Sequence, residues 1–366
     1  MIKKIWIKDF RNIDELVLDL EQKRNIFVYG ANNQGKTNFL EALYFMAYGR
    51  SPREGIHQNL IQFDKNEALM GVDFVNKDEI HRLYVKLMDD GKKVSQLNSK
   101  KVNSFSTIQR YLNIDFMSAE VVRIFTESPD YRRKEIDQFC IRYYQEYSGV
   151  LKKYEKILKQ KNALLKSDNM DDKVLDVCNE QLVELAGEIV DFRLKAVAVI
   201  KEHFKELLIT IEPLAIKKVE IKYLYFKLQD FFCTKDDYKK ILTGKISESK
   251  DKERRVGYSL YGAHRDDFLI EFDNKDLFSF FSKGVNRMSA ILFKIAELMA
   301  MDKKYNEYPV MLLDEVMAEL DQEMKRNVVR VFNKNTQVFY TSVSKEDKLL
   351  FDDVCVYEMK KGKLFG

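Results

Sequence analysis

An eight-residue motif near the N-terminus limits the possible folds of this chain more than any other feature. Residues 30–37 read GANNQGKT and fit the P-loop pattern GxxxxGK[ST]. The apolar run 26–29 before the motif predicts a buried strand, and the apolar period over 36–48 predicts a helix after it. Backbone N–H groups and a helix N-terminus then face the same anion. The sequence therefore predicts a phosphate-binding site in an α/β fold.

Different residues of this motif are expected to bind the phosphates of ATP and the Mg²⁺ ion. Lys36 is expected to reach the β and γ phosphates, and the Thr37 hydroxyl is expected to hold Mg²⁺. We assign nucleotide binding to the whole turn and the residue after it, namely Gly30, Ala31, Asn32, Asn33, Gln34, Gly35, Lys36, Thr37 and Asn38.

A second motif, Leu312-Leu313-Asp314-Glu315, predicts an apolar strand that ends in two acids. Asp314 at the end of such a strand can bind Mg²⁺, and Glu315 can orient or deprotonate the attacking water. The predicted catalytic residues are therefore Glu315 and Lys36, and the predicted metal ligands are Thr37 and Asp314.

Most of the chain separates these two motifs, which indicates an ATPase head interrupted by an insertion. We predict an N-terminal lobe at 1–130, a helical arm domain at 131–254 and a C-terminal lobe at 255–366. The insertion has helical periodicity over 132–166 and 173–208, with a turn signal at Ser167-Asp168-Asn169. The periodicity fits a short antiparallel coiled-coil arm and two core helices of a bundle equally well.

The segment Phe281-Ser282-Lys283-Gly284 precedes another predicted helix. A serine and a glycine at a helix N-terminus suit a bound anion, but Ser282 is also a common helix N-cap residue. Both interpretations stay open at this point.

Composition says more about where the protein is found in the cell than about the reaction it carries out. The chain has 366 residues, with 62 basic and 58 acidic side chains, and this balance neither requires nor excludes a nucleic-acid partner. The four cysteines form no CxxC pair, so a zinc site is not expected. No apolar run reaches the roughly 18 residues of a membrane span. We expect a soluble cytoplasmic protein that does not enter a membrane.

Over its whole length the sequence resembles an ABC-type P-loop ATPase of the chromosome-maintenance and repair branch, and within it the RecF family of bacterial recombination mediators. The segments that carry the resemblance are Phe10-Arg11-Asn12, the P-loop, Gly49-Arg50-Ser51-Pro52-Arg53, Ser128-Pro129-Asp130-Tyr131-Arg132-Arg133, Gly262-Ala263-His264-Arg265-Asp266-Asp267, the Ser282 loop, and Leu313-Asp314-Glu315 with Glu319-Leu320-Asp321. The implied fold has mixed sheets and an inserted helical arm.

The resemblance implies roles that the residues alone do not reveal. Ser282 and Gly284 act as a signature loop on the nucleotide of a partner, Asp321 lies at the dimer seam, and Arg11 and Asn12 help to bind the nucleotide. ATP then joins two heads on DNA, and slow, DNA-stimulated hydrolysis releases them. The implied DNA substrates are duplex, gapped DNA and junctions between single and double strands. RecO and RecR are the implied protein partners.

Some features depart from the family pattern or leave alternatives. Glu120 occupies the position where a glutamine that senses Mg²⁺ is expected. A structural tether and a nuclease fused to an ATPase head are the competing hypotheses. Basic residues cluster at Lys100-Lys101, Arg132-Arg133-Lys134, Lys152-Lys153 and Lys217-Lys218. For each of these clusters a solvated surface is the simpler explanation, and Arg132 and Arg133 can equally bind acids inside the fold.

Overall fold

The computed structural model of this chain describes residues 1–20, 23–53, 57–126, 128–167, 171–209, 216–225, 234–305, 309–331 and 336–366. Most of the turn expected at 167–169 lies outside the described residues. The chain forms two compact units, one made of Met1–Val121 with Tyr305–Gly366 and the other of Val122–Lys304. We call them unit 1 and unit 2. The division into three segments at 130 and 254 remains a prediction.

The strands and helices alternate along the chain, with long helices in the middle. The strands are β1 (Ile2–Phe10), β2 (Ile13–Asp19), β3 (Asn25–Tyr29), β4 (Glu67–Asn76), β5 (Glu79–Met88), β6 (Lys93–Leu97), β7 (Lys100–Val102), β8 (Ile114–Ser118), β9 (Val219–Leu224), β10 (Asp267–Phe272), β11 (Lys275–Asp276), β12 (Val310–Asp314), β13 (Val338–Ser342), β14 (Val354–Lys360) and β15 (Lys363–Phe365). The helices are α1 (Lys36–Tyr48), α2 (Phe105–Gln109), α3 (Arg123–Thr126), α4 (Pro129–Tyr143), α5 (Tyr147–Leu164), α6 (Asp172–Ile209), α7 (Lys235–Val256), α8 (Leu277–Phe280), α9 (Lys283–Tyr305) and α10 (Gln322–Arg330).

Unit 1 contains two six-stranded sheets. One is antiparallel with the order β2-β1-β4-β5-β6-β7, and the other has the order β15-β14-β3-β13-β12-β8. In the second sheet all neighbours are parallel except β14 and β15. The carboxyl ends of β3, β12 and β13 therefore meet at one edge, which is where ligands bind in such sheets.

Helix α1 contacts strands of both sheets and shares one apolar core with them. Phe39, Leu40, Leu43 and Ala47 are fully buried, as the helical period over 36–48 predicts. This burial fixes the start of α1 against the parallel sheet and so holds the turn that precedes it.

Unit 2 combines helices with a three-stranded sheet of order β11-β10-β9. Helix α6 packs against α5 and also against α4 and α7. The α5–α6 pair is antiparallel, because Tyr147 contacts Phe192 near one end while Ile157 and Leu185 line the same groove farther along. The two helices that the sequence predicts are thus part of a larger helical layer.

Two details of the middle segment differ from its helical periodicity. The stretch 132–166 is interrupted, because Tyr144 has an extended backbone with φ −123° and ψ 118° between α4 and α5. The segment also contains strand β9, in which Val219, Ile221 and Tyr223 are buried alternately and pair with β10. A short strand with period two is easily missed beside a 38-residue helix.

Among the described residues, none of the helices is both long and apolar enough to cross a membrane. Three cysteines are described, and all three are free thiols: Cys140, Cys178 and Cys355.

Candidate nucleotide-binding site

The P-loop connects β3 to α1, and two of its glycines lie where no side chain fits. Gly35 precedes α1 with φ 113°, and a Cβ there would lie 2.7 Å from Asn12 Oδ1. A Cβ on Gly30 would lie 2.4 Å from the carbonyl oxygen of Met359. The backbone therefore curls tightly because both positions are glycine.

Lys36 is held across this loop rather than extended into solvent. Its Nζ donates hydrogen bonds to the carbonyls of Gly30 at 2.7 Å and Ala31 at 3.0 Å. The same atom lies 3.1 Å from Glu315 Oε1, and only 4% of the side chain is exposed. The ammonium group is thus buried among oxygen atoms, where anionic phosphate oxygens can replace its partners.

The two predicted Mg²⁺ ligands are in direct contact. Thr37 Oγ1 donates to Asp314 Oδ1 at 3.1 Å, and Thr341 Oγ1 donates to the same oxygen at 2.8 Å. Asp314 and Thr341 are register partners in the parallel pair β12–β13. Burial raises the pKa of Asp314, and the two hydroxyl donors partly oppose this shift.

Glu315 is aimed at the P-loop by an unusual backbone conformation. Its φ is +52°, in the left-handed region, and its N–H lies 3.2 Å from both the carbonyl and the hydroxyl oxygen of Thr341. The chain therefore turns sharply after Asp314, and the Glu315 carboxylate faces Lys36. Such strain in a non-glycine residue is often found at functional sites.

These side chains line a cavity of about 600 Å³. Asn12 closes one side, since its Nδ2 donates to the carbonyl of Gln34 at 3.2 Å and its Oδ1 accepts from Asn38 Nδ2 at 2.9 Å. The lining residues are Asn12, Asn32, Asn33, Gly35, Lys36, Thr37, Asn38, Arg53 and Glu315.

Arg53 belongs to this cavity, although sequence reasoning did not assign it a role. Its guanidinium donates to Asn38 Oδ1 at 2.8 Å and also binds the fully buried carboxylate of Glu41. Arg11 binds the same carboxylate at 3.0 and 3.2 Å. Although burial raises the pKa of Glu41, the hydrogen bonds from Arg53 and Arg11 outweigh it and leave that pKa below its ordinary value.

The donor set at the end of β12 fits Mg²⁺, which prefers oxygen ligands and usually binds through one or two protein groups and the phosphates. Thr37 offers a hydroxyl and Asp314 a carboxylate on the same side of the loop. Within the described ranges, no group of three or more His, Cys, Asp or Glu side chains could hold a metal ion.

Comparison with known proteins extends this description to the whole chain. The family described as RecF/RecN/SMC N terminal domain matches residues 1–363. The DNA replication and repair protein RecF of Clostridium kluyveri is 34% identical over 99% of both chains, and that of Clostridium botulinum strain Eklund 17B is 32% identical with the same coverage. This chain belongs to the RecF family of DNA replication and repair proteins.

Solved structures agree with this assignment to RecF. A structure of the recombination mediator protein RecF with ATP in the RecFOR pathway has a TM-score of 0.83 and 27% identity, covering 100% of this chain and 96% of that chain. An Smc head bound to a domain of ScpA has a TM-score of 0.60 and 16% identity, with 100% and 97% coverage, and shows the shared fold alone. The predicted ABC-type head and the resemblance to RecF are confirmed.

The residues that the RecF resemblance places at the dimer seam lie at helix N-termini. Ser282 Oγ accepts from the N–H of Val285 at 3.3 Å at the start of α9 in unit 2, and Gly284 lies in the same first turn. Asp321 is the N-cap of α10 in unit 1, where Oδ1 accepts from Met324 N at 2.8 Å. Ser282 and Asp321 are exposed. The hydrogen bonds show that both side chains cap helices. Their contact with the nucleotide of a partner remains a prediction.

The segments most typical of RecF meet in a polar network inside unit 2. Arg132 binds Asp267 through two hydrogen bonds of 2.7 Å, and Arg193 binds Asp137 at 2.8 and 3.0 Å. Arg133 binds Asp130 on its own helix. The expectation that a motif arginine can bind an acid inside the fold is confirmed for Arg132, whereas the side chain of Asp130, the partner of Arg133, is exposed.

His264 lies in the same network and has a structural position. Its Nδ1 is 2.7 Å from Tyr154 Oη and its Nε2 is 3.3 Å from the carbonyl of Ser259. Burial lowers the pKa of His264 to about 4. The ring is therefore neutral at physiological pH, and it bridges α5 to the loop before β10.

Proposed function

We propose that this chain is an ATP-dependent DNA-binding protein of recombinational repair and replication. ATP binding joins two copies head to head on DNA at single-strand gaps and junctions and promotes recombinase loading, and slow hydrolysis releases them. The hydrogen bond between Thr37 and Asp314 carries the proposal, because it unites the P-loop and the acidic strand end in one site.

The chain holds the nucleotide through groups that already converge on the cavity. The backbone of the P-loop and Lys36 take the phosphates, and Asn12 and Asn38 border them. Mg²⁺ bound by Thr37 and Asp314 would neutralise negative charge on the phosphate oxygens. Membership of the RecF family and the ATP-bound structure of a relative support this assignment.

Hydrolysis is proposed to depend on Glu315. Its half-buried carboxylate lines the cavity and can orient or deprotonate a water molecule once Lys36 turns toward the phosphates. Ser282, Gly284 and Asp321 complete the site of a partner copy. The result is a weak, DNA-stimulated ATPase in which each copy supplies what the other lacks.

The proposed partners follow from the RecFOR pathway in which a similar structure is placed. They are duplex DNA, gapped DNA, junctions between single and double strands, and mediator proteins of the RecR and RecO type. We place this activity in the cytoplasm.

The first experiment measures mass and DNA binding together. Light scattering should show a dimer with ATP and a monomer without it, and Lys36→Ala should remain monomeric while Glu315→Gln stays dimeric. Binding to gapped, single-stranded and blunt duplex DNA is measured with ATP, ADP and no nucleotide. An identical mass with and without ATP would contradict the proposal.

A mixing experiment tests whether the site is shared between copies. Lys36→Ala and Ser282→Arg should each abolish turnover, but their heterodimer contains one intact composite site. An equal mixture should therefore recover turnover that neither variant shows alone, because each mixed dimer has one active site of two. No recovery in a mixture that still forms dimers would refute the shared site.

A further inference from the structure

Helix α5 carries a row of lysines on its exposed side. Lys152, Lys156 and Lys159 lie within an arc of about 60° when each residue turns the helix by about 100°. Lys166 follows just after the helix ends, and all four side chains are exposed. We call these four residues the basic stripe.

The basic stripe is not neutralised within the part of the chain that the structure describes. No ion pair or hydrogen bond links its four ammonium groups to another described residue. On the neighbouring helix α7, four basic side chains pair with acids on α6 or on α7 itself: Lys239 with Glu184, Lys245 with Glu248, Lys250 with Asp176 and Arg254 with Asp172. Pairing is thus available in unit 2, and α5 itself uses it at the buried Lys161, which lies 2.7 Å from Glu253. The four lysines of the basic stripe do not use it.

Like charges three and four residues apart on a helix repel each other, so this arrangement costs stability in the isolated chain. The whole chain is close to neutral, with 62 basic and 58 acidic residues, so the excess is local. Acids are nearby, since Glu155 lies on the exposed side of α5 and Glu180 and Glu184 line a groove with Lys156, but none of them forms an ion pair with the basic stripe. A local excess of positive charge favours an extended polyanion. From Lys152 to Lys166 the row spans about 21 Å at a rise of about 1.5 Å per residue. That length corresponds to about six phosphates of one DNA strand.

The basic stripe continues into a second group of side chains at its C-terminal end. The Lys166 side chain lies against Gly257, where a Cβ would be 3.2 Å from Lys166 Cγ. The next residue, Tyr258, is 41% exposed, and the guanidinium of Arg265 lies 5.5 Å from the centre of its ring. An exposed aromatic ring beside cationic groups is typical of nucleic-acid-binding surfaces.

A lipid surface is a poorer partner for this helix. A helix that lies on a membrane needs an apolar face to insert beside its basic one. In α5 the apolar side is used inside unit 2, where Tyr147 and Tyr154 are buried. The exposed face contains lysines, Gln160, Ala163 and Glu155 but no large apolar side chain.

We propose that the basic stripe of α5 binds the phosphate backbone of DNA. This inference rests on the proposed DNA-binding function and assigns to it a surface outside the nucleotide site. The contacts are electrostatic and carry no base preference, so they position the DNA rather than select its sequence.

The test compares two triple variants with the same change in charge. The stripe variant carries Lys152→Gln, Lys156→Gln and Lys159→Gln. The control variant carries Lys92→Gln, Lys195→Gln and Lys245→Gln, which removes three lysines that are each paired with an acid. The dissociation constant for a fluorescein-labelled gapped duplex is measured by anisotropy with ATP and Mg²⁺, from 50 to 300 mM salt. Binding of a fluorescent ATP analogue verifies that each variant is folded.

The stripe variant should bind DNA roughly 10²-fold more weakly at 0.1 M salt, and the salt dependence of its affinity should fall by about 2.7 in slope. The control variant should match the wild type. If the stripe variant also matches the wild type, the surface assignment is wrong while the proposed function stands. If the wild type binds no DNA under any nucleotide condition, both fail. Retained DNA binding with lost binding to phosphatidylglycerol vesicles would identify a lipid surface instead and overturn the proposal.

Discussion

The buried pair of Arg193 and Asp137 offers the sharpest test of how unit 2 is held together. Only 3% of the Arg193 side chain and 14% of the Asp137 side chain are exposed. The guanidinium also donates to Tyr223 Oη at 3.0 Å and to the carbonyl of Ala263 at 2.7 Å. Arg193→Ala therefore removes four hydrogen bonds and leaves a carboxylate without its cation.

The expected cost follows from that uncompensated charge. Removing one partner of a buried ion pair typically costs about 3–5 kcal/mol. Since native domains are stable by only about 5–15 kcal/mol, this is a large part of the total. The surface pair of Arg82 and Asp73 has the same two-bond geometry, at 2.7 and 2.8 Å, but Arg82 is 68% exposed. Arg82→Ala should change stability much less, because water replaces the lost partner.

Urea unfolding followed by far-ultraviolet circular dichroism measures the effect, because helices dominate unit 2. Asp137→Ala and the double variant complete a thermodynamic cycle. The double variant should be less destabilised than the sum of the two single variants, since it leaves neither charge unpaired. The reasoning would be refuted if Arg193→Ala unfolded at the same urea concentration as Arg82→Ala, or if the two single effects simply added.

Three further predictions concern the nucleotide site and the histidine of unit 2. Thr341→Val removes a hydroxyl bonded to the acid at the end of β12; because such a bond contributes about 1.5–3 kcal/mol, ATP turnover should fall roughly 10- to 100-fold. Thr243→Val, on an exposed turn of α7, should keep wild-type turnover. Equal turnover rates in Thr341→Val and Thr243→Val would refute the role of the Thr341 hydroxyl. His264, with its pKa lowered to about 4, is neutral in the fold but takes up a proton on unfolding below its ordinary value of 6.5. Stability should therefore fall by about 3 kcal/mol as the pH drops from 6.5 to 4, and His264→Asn should lack this component of the urea-unfolding profile. Gly35→Ala should abolish binding of a fluorescent ATP analogue, because its Cβ would lie 2.7 Å from a neighbouring amide oxygen, whereas Gly149→Ala has open space around it and should bind normally.

Local patterns in the sequence were sufficient for much of the fold and for the centre of the site. A glycine-rich turn between an apolar strand and an amphipathic helix depends on neighbouring residues only, so the P-loop was predictable together with β3 and α1. The same holds for the apolar strand that ends in Asp314 and Glu315. The family resemblance then connected these pieces into one ATPase head.

Contacts between distant parts of the chain were decided only by the tertiary structure. Thr341 reaches Asp314 because β12 and β13 pair in one parallel register, and a shift by one residue would turn its hydroxyl to the other face of the sheet. Arg53 is held at the cavity by its hydrogen bond to the buried Glu41. No periodic pattern in the neighbouring sequence indicates that contact.

The lysines of α5 also show what the sequence alone does not reveal, namely which charged side chains are paired with an opposite charge. Sequence reasoning treats each lysine pair as a solvated surface, since acids are never far away along the chain. Whether an acid lies within reach of an ammonium group depends on which helices pack together, and packing is set by the burial of apolar side chains over the whole unit. The sequence determined which charges exist, and the packing of α5, α6 and α7 decided which of them are neutralised.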